Sequence, residues 1–531
     1  MTKCLDAITR RVLGIESYLK RVEPRCETAR HRWRGLASVP FLSAEARGDE
    51  VLRRRRLDTE LDAEAIAELG RELRSLPTLE RVVRRLDADQ ILGDADLFSL
   101  KRFFYHGLAV LESADGVDGL PTSDSATAKL LREAMETIHP GQTPSTRFHL
   151  ADELDPTLQS RRSRLRNIRR RLRVKRKEFE SQIVDDLGGK FDVHGRYRPD
   201  DDAKIDDPRL RWEQGFYRLD NEEIATFTEQ QREVADEVAV LEKQQRRRLS
   251  NFAEEILESL LALEARLVAF DLRIAAVELR RQIDGCWPRE IGDNEGFWLK
   301  LNAGRDPTLI SAPEIEQIQP IDVTLTKPGN VVIGPNMGGK SALLRLIGLC
   351  QWCAQMALPA PARECAISDT QRIVYVGSEE PGRSVESADL SAFGREIQRF
   401  VQFWEGDEKI SWLLDEPGRG THPEEGARLA EEIACARIDR GDTVIMATHF
   451  PQLARCHGFA RLRVKGLDVD DATLASAIAE ADERHEPLRD VLRRFMDYGV
   501  VDNPDAEVPR DARRVAAALG LSPRCEDDLG Q

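Results

Sequence analysis

The sequence has no long apolar run. None of its 531 residues form an uninterrupted apolar stretch long enough to cross a bilayer. Ala342–Leu358 comes nearest, and Arg345, Gln351 and Gln355 break it. Lys3, Arg10, Arg11, Lys20 and Arg21 mark the start of the chain, without the apolar core of a signal peptide. A disulfide framework is also missing. The nine cysteines are odd in number and irregularly spaced, which predicts reduced thiols. Together these absences predict a cytoplasmic protein with no membrane partner. Cys350 and Cys353 form a C-x-x-C, but no second pair of matching spacing follows, so both are expected to be small buried residues. There is no excess of positive charge. Lys and Arg number 79 against 94 Asp and Glu, a formal net charge of −15. A protein that coats DNA is more often basic, so any nucleic-acid surface here must be local. Internal repeats and low-complexity tracts are absent.

What is present begins at residues 334–341, Gly-Pro-Asn-Met-Gly-Gly-Lys-Ser. Gly334, Gly339, Lys340 and Ser341 hold the fixed places of a phosphate loop. Pro335, Asn336, Met337 and Gly338 complete the turn. An apolar, β-branched segment, Asn330–Ile333, precedes it, and a helically spaced apolar run follows to Leu358. Strand, glycine loop and helix together predict a nucleotide site. Glycines let backbone N–H groups close on phosphate oxygens, and the helix N-terminus adds partial positive charge. Lys340 supplies a cation for the outer phosphates of a nucleotide, and Ser341 a hydroxyl ligand for Mg²⁺.

Residues 1–69 read as charged helices. Residues 70–292 read as a mostly helical region, with an insertion over about 115–220. Within it, Arg161–Lys177 is the most basic segment, with eleven of seventeen residues Lys or Arg. Leu165, Ile168 and Leu172 keep one apolar stripe, so a long helix with a cationic face is predicted. That face can meet a phosphate backbone or pair with acidic neighbours, and the residues leave both open. Asn221–Ile283 is nearly unbroken helix without proline, the length of a coiled-coil or lever-like arm. Residues 293–465 alternate short strands and helices, an α/β pattern. Residues 466–531 return to charged helices, Glu486–Tyr498 among them, and are expected to form a helical tail able to pair with its copy.

Two further strands carry chemistry. Ser411–Leu414 is apolar and ends in Asp415 and Glu416. The first acid suits Mg²⁺, and the second suits a general base for the attacking water. Thr443–Thr448 ends in His449, placed to sense the terminal phosphate.

These segments, with Pro361-Ala362, Ser391–Glu396 and Pro417–Thr421, resemble the ATPase domain of the MutS family, which are ABC-type ATPases. The resemblance is specific over about 300–465 and weaker over 70–290. It implies an α/β P-loop ABC-type ATPase domain after a helical core, lever and clamp region. It also implies a homodimer with ATP sandwiched between subunits. Lys340, Ser341, Asp415, Glu416 and His449 would act in cis, and Ser391 would reach the neighbour's γ-phosphate. DNA is the partner the family implies, through the Arg161–Lys177 region.

The chain departs from the family in places. Ala342 replaces the usual Thr, Pro417 follows the acids, and Asp306 stands where the family usually has His to contact adenine. No mismatch-reading domain fits before residue 70, and no C-terminal nuclease domain is expected. Phe227-Thr228-Glu229 mimics the family's mismatch-reading motif, but lies at the start of the long helix and is discounted. The tail, Phe495–Tyr498 and Val508–Gly520, is similar to the reactivating ATPases of adenosylcobalamin-dependent lysine aminomutase. An aminomutase is therefore the alternative partner.

Overall fold

The computed structural model of the chain describes residues 5–140, 152–200, 204–291, 298–307, 318–335, 338–377, 392–450, 452–453, 458–505 and 511–519. Contacts divide the chain into two units: residues 68–116 with 120–267, and residues 1–67, 117–119 and 268–531. Among the described residues, no helix is long and apolar enough to cross a membrane.

The first of these units is helical with one small sheet. Helix Asp94–Ser113 buries Leu97, Leu100, Phe103, Phe104, Val110 and Leu111. Gly107 faces Leu131, Leu263 and Leu267, all within 4 Å of where a Cβ would sit, so a larger residue would push the helices apart. The cationic segment lies in helix Pro156–Leu187. Asp155 caps it through the Thr157 N–H at 2.7 Å, and Pro156 fits the first turn, where no N–H is needed. Leu158, Leu165, Ile168, Leu172 and Ile183 form its buried stripe.

This helix runs antiparallel to the first half of helix Glu222–Gln282. Asp155 meets Gln245, Arg162 meets Glu242 and Lys175 meets Glu223, so contacts descend one helix as they climb the other. The second helix has 61 residues with neither proline nor glycine, and is roughly 90 Å long at 1.5 Å per residue. Between the two helices the chain makes an antiparallel four-stranded sheet. Its strands are β1 (Lys190–Phe191), β2 (Arg196–Arg198), β3 (Leu210–Glu213) and β4 (Phe216–Leu219), in the order β1-β2-β4-β3. Tyr197, Leu210 and Tyr217 pack with Ile183 beneath one face of it.

The other unit holds two sheets. One has β5 (Arg289–Glu290), β6 (Leu299–Gly304), β7 (Ile321–Leu325) and β9 (Glu364–Ile367), in the order β5-β9-β6-β7. The larger joins β8 (Gly329–Ile333), β10 (Arg372–Gly377), β11 (Ile410–Asp415), β12 (Thr443–Thr448), β13 (Ala460–Leu467) and β14 (Met496–Asp502). Its order is β10-β11-β12-β8-β13-β14, parallel through β13. Strands β8, β11 and β12 are buried along their whole length, as expected of parallel strands covered on both faces. Helix Lys340–Gln355 is apolar nearly all round and lies in the core, where Leu343, Leu346, Ile347 and Trp352 are buried.

At the N-terminal ends of β11 and β12 sits a buried ion pair, Arg437–Asp442 at 2.6 Å. Asp442 also accepts the Ile410 N–H and the Trp412 indole N–H, each at 2.9 Å. This network fixes where both strands begin, and so where their C-terminal ends fall. Removing one partner would leave a buried charge, at a cost of about 3–5 kcal/mol. The N-terminal helices belong to this unit too. Thr9 Oγ accepts the Tyr375 N–H at 3.0 Å, and Arg399 pairs with Asp6 at 2.8 Å.

The tail differs from the helical expectation. Asp471–Glu483, Leu488–Phe495 and Asp511–Ala518 are helices, but Met496–Asp502 is a strand paired antiparallel with β13. The reason is chemical. Tyr498, Val500 and Val501 favour extended backbone, Gly499 weakens a helix, and β13 offers an open edge.

Candidate nucleotide site

The C-terminal ends of β8, β11 and β12 converge on one cavity of about 600 Å³. Open parallel sheets bind ligands at such ends, outside the strand carboxyl termini. Each end delivers one group that the sequence singled out. The loop after β8 carries Lys340 and Ser341, β11 ends in Asp415 followed by Glu416, and His449 follows β12; all five line the cavity.

The glycine loop turns because its residues allow it. The Gly338 N–H donates to Pro335 O at 3.0 Å. Gly339 caps the helix at φ +84°, a left-handed conformation that costs a side chain about 1 kcal/mol or more. A Cβ there would also lie 2.8 Å from the Tyr498 ring of β14, so the tail strand packs directly on the loop. Asn336 and Met337 lie outside the described residues. Gly334 sits against Val464 of β13.

Lys340 is buried, and its ammonium donates to Gly334 O at 3.0 Å and Pro335 O at 3.1 Å. It also pairs with Glu416 Oε1 at 3.2 Å. The other carboxylate oxygen of Glu416 contacts His449 Nδ1 and accepts the His449 N–H at 3.3 Å. One carboxylate therefore spans the loop lysine and the strand-end histidine. Glu416 itself has φ +55°, rare for a residue with a side chain, and its N–H donates to Ala447 O at 2.8 Å. A strained backbone at a strand end commonly marks a site whose side chain must point one way.

Asp415 is buried and accepts the Tyr375 hydroxyl at 2.8 Å. Its carboxylate and the Ser341 hydroxyl are hard oxygen donors on the same cavity. Mg²⁺ needs one or two such protein ligands and takes the rest from phosphates and water. The donor set fits that ion. Among the described residues, no cluster of three or more His, Cys, Asp or Glu forms a metal cage, and none is needed here.

Ser391 lies outside the described residues, one position before helix Ala392–Gln402. That helix is tied to the loop after the acids. Glu396 accepts the Gly418 N–H at 2.8 Å, and Gly420 packs against Phe393. Burial pushes the Glu396 carboxyl up, partly countered by that N–H. Asp306, which stands where the family usually has a His against adenine, is buried and faces Arg345, which lines the cavity. Cys350 and Cys353 are fully buried and burial pushes both thiols well up, the behaviour of inert structural cysteines.

Three functional contacts escape sequence reasoning. Tyr375 on Asp415, Tyr498 on Gly339 and Glu396 on Gly418 each join residues more than twenty positions apart. No local spacing signals such pairs.

Residues 330–483 match the family model of MutS domain V. Among curated relatives, the endonuclease MutS2 of Solidesulfovibrio magneticus is 31% identical over 229 residues, covering 40% of this chain and 29% of the relative. The endonuclease MutS2 of Halothermothrix orenii is 34% identical over 191 residues, covering 34% of this chain and 22% of the relative. That of Lactobacillus helveticus is 31% identical over 220 residues, covering 40% and 26%. The chain thus spans less than a third of the length of these relatives.

Proposed function

We propose that this chain, whose residues 330–483 match MutS domain V, binds ATP and hydrolyses it to grip a DNA partner. The observation that carries the reading is the meeting of Lys340, Ser341, Asp415, Glu416 and His449 on one cavity at three parallel strand ends. The loop N–H groups and Lys340 bind the β- and γ-phosphates of ATP. Mg²⁺, held by Ser341 and Asp415, would neutralise developing phosphate charge. Glu416 takes a proton from the water that attacks the γ-phosphorus, the bond to the β–γ bridging oxygen breaks, and ADP leaves with that electron pair. His449 orients Glu416 and the terminal phosphate. Tyr375 holds the Asp415 carboxylate in place.

Two subunits share the nucleotide, with Ser391 reaching across to the neighbour's γ-phosphate. DNA is taken through the cationic helix. Arg161, Arg162 and Lys175 pair with acidic neighbours there, but Arg164, Arg169, Arg170, Arg171, Arg173, Arg176 and Lys177 are exposed, with no ion pair among the described residues. The relatives' name, endonuclease MutS2, supports a nucleic-acid partner. The alternative reading, a reactivase acting on an aminomutase, draws on the resemblance of the tail, Phe495–Tyr498 and Val508–Gly520; within it, Tyr498 packs on this chain's own glycine loop.

Phosphate release from ATP tests the proposal, with and without Mg²⁺ and duplex DNA at near-physiological salt. Release should need Mg²⁺, change with DNA and vanish in Lys340→Ala. Release undiminished in the variant would remove this site from the reaction. No response to DNA would remove the partner.

A further inference from the structure

Strand β10 is the outer strand of the larger sheet, so one of its edges has no strand beside it. Side chains close that edge at Tyr375. The Tyr375 N–H donates to Thr9 Oγ at 3.0 Å, and Arg399 Nε donates to the Tyr375 carbonyl at 2.7 Å. Thr9 belongs to helix Ala7–Val12, and Arg399 to helix Ala392–Gln402. The two also hold each other. Arg399 Nη2 donates to Thr9 Oγ at 3.0 Å and to Asp6 Oδ1 at 2.8 Å, and Thr9 Oγ donates to Asp6 Oδ2 at 2.6 Å. Asp6 is fixed in turn, because it caps helix Ala7–Val12 through the N–H groups of Ile8 and Thr9. Thr9, Tyr375 and Arg399 are all buried, so removing one partner would leave another polar group unpaired.

The side chain of Tyr375 reaches the acid of the nucleotide site. Its hydroxyl donates to Asp415 Oδ2 at 2.8 Å. Register explains how. Tyr375 lies opposite Leu413, and Gly377 opposite Asp415. Residues two apart on a strand share a face, so the Tyr375 side chain runs along β10 over Gly377 to reach the next strand. A Cβ on Gly377 would lie 2.7 Å from the Tyr375 hydroxyl oxygen and 2.9 Å from Asp415 Cβ. Glycine at that position leaves room for the contact. Arg399 lies one turn after Glu396, which accepts the Gly418 N–H, so helix Ala392–Gln402 is tied to the strand and to the loop after the acids.

We propose that Asp6, Thr9 and Arg399 are positioning residues for the Mg²⁺ acid, Asp415. They fix β10 at Tyr375 from outside the sheet, and Tyr375 carries that constraint across to the Asp415 carboxylate. The part played by Asp415 rests on the functional reading above; its connection to Thr9 rests on the hydrogen bonds. Mg²⁺ demands near-ideal octahedral geometry, so a carboxylate left to swing holds it less well. Groups that orient a metal ligand commonly govern metal affinity by about 10–100-fold. Helix Ala7–Val12, a short charged helix by its sequence, is thereby a working part of the nucleotide site.

The test is a titration of the full chain with Mn²⁺, which suits the same oxygen ligands, beside a non-hydrolysable ATP analogue. Electron paramagnetic resonance counts the free ion. Tyr375→Phe should weaken Mn²⁺ binding about 10-fold or more. Thr9→Val removes only the hydroxyl and should weaken it several-fold. Arg399→Lys, which loses the planar fork, should do the same. Thr9→Ser keeps the hydroxyl and should restore the parental affinity. The double variant Thr9→Val, Tyr375→Phe should bind Mn²⁺ no more weakly than Tyr375→Phe alone, because Thr9 acts through that tyrosine. Additive losses would show that Thr9 acts on the fold at large, and would overturn the proposal. Parental Mn²⁺ affinity in both Thr9→Val and Arg399→Lys would overturn it too, with the ATPase reading intact. A parent that takes up no Mn²⁺ with the analogue would overturn that reading itself.

Discussion

Lys340 and Glu416 form an ion pair, with Nζ and Oε1 at 3.2 Å. The lysine meant for the outer phosphates and the carboxylate meant for the attacking water thus neutralise each other.

Glu416→Gln follows directly. Shape is kept, while charge and proton acceptance are lost. ATP should bind at least as tightly as to the parent, because Lys340 loses its ionic partner. Turnover should fall by about 10²–10⁴-fold. Nucleotide titration and phosphate release read the two effects separately, and parental turnover would strip Glu416 of its role as base.

A site shared between two subunits, as proposed, predicts complementation. Lys340→Ala and Ser391→Arg chains should each be inactive alone. Mixed, they should recover about one working site per mixed dimer, since each partner then spoils the same site. A mixture as inactive as its components argues against Ser391 acting across subunits.

Tyr498 is a positioning residue for the glycine loop. Tyr498→Ala should raise KM for ATP several-fold with less change in kcat, since it loosens binding rather than chemistry. Tyr498→Phe keeps the ring and should restore the parental KM. Equal effects of the two on KM would exclude packing on Gly339 as the cause.

Glu50 predicts acid sensitivity. Burial by itself would push its carboxyl up, but Arg54 and Arg273 outweigh burial and hold it below its ordinary 4.5. A depressed folded-state pKa contributes stability that is complete above the unfolded value and is lost as pH falls through the folded one. Urea midpoints of the parent should therefore drop below about pH 4.5. Glu50→Gln should be less stable at pH 7, by about 3 kcal/mol for a broken buried pair, and should flatten this part of the profile. Parallel pH profiles for the two proteins would rule the network out as its source.

Much of the site is legible in the sequence because its signals are local. Gly334 to Ser341 needs only eight residues, and Asp415-Glu416 only the apolar run before them. The 61-residue helix announces itself by apolar spacing and the lack of proline. The strand at Met496–Asp502 does not. Its residues are nearly uniformly half-buried, a helix ends immediately before it, and its partner strand starts at Ala460.

Strand β14 has one more consequence. It covers the edge of β13 with pairings from Leu462–Asp502 to Leu467–Met496. An uncovered strand edge offers its backbone N–H and C=O groups to any extended chain. Cleavage before Met496 would expose such an edge on a sheet otherwise built for burial. The fragment would lose solubility through edge-to-edge association, so proteolysis in the stretch before β14 would be read as aggregation before it was read as lost activity.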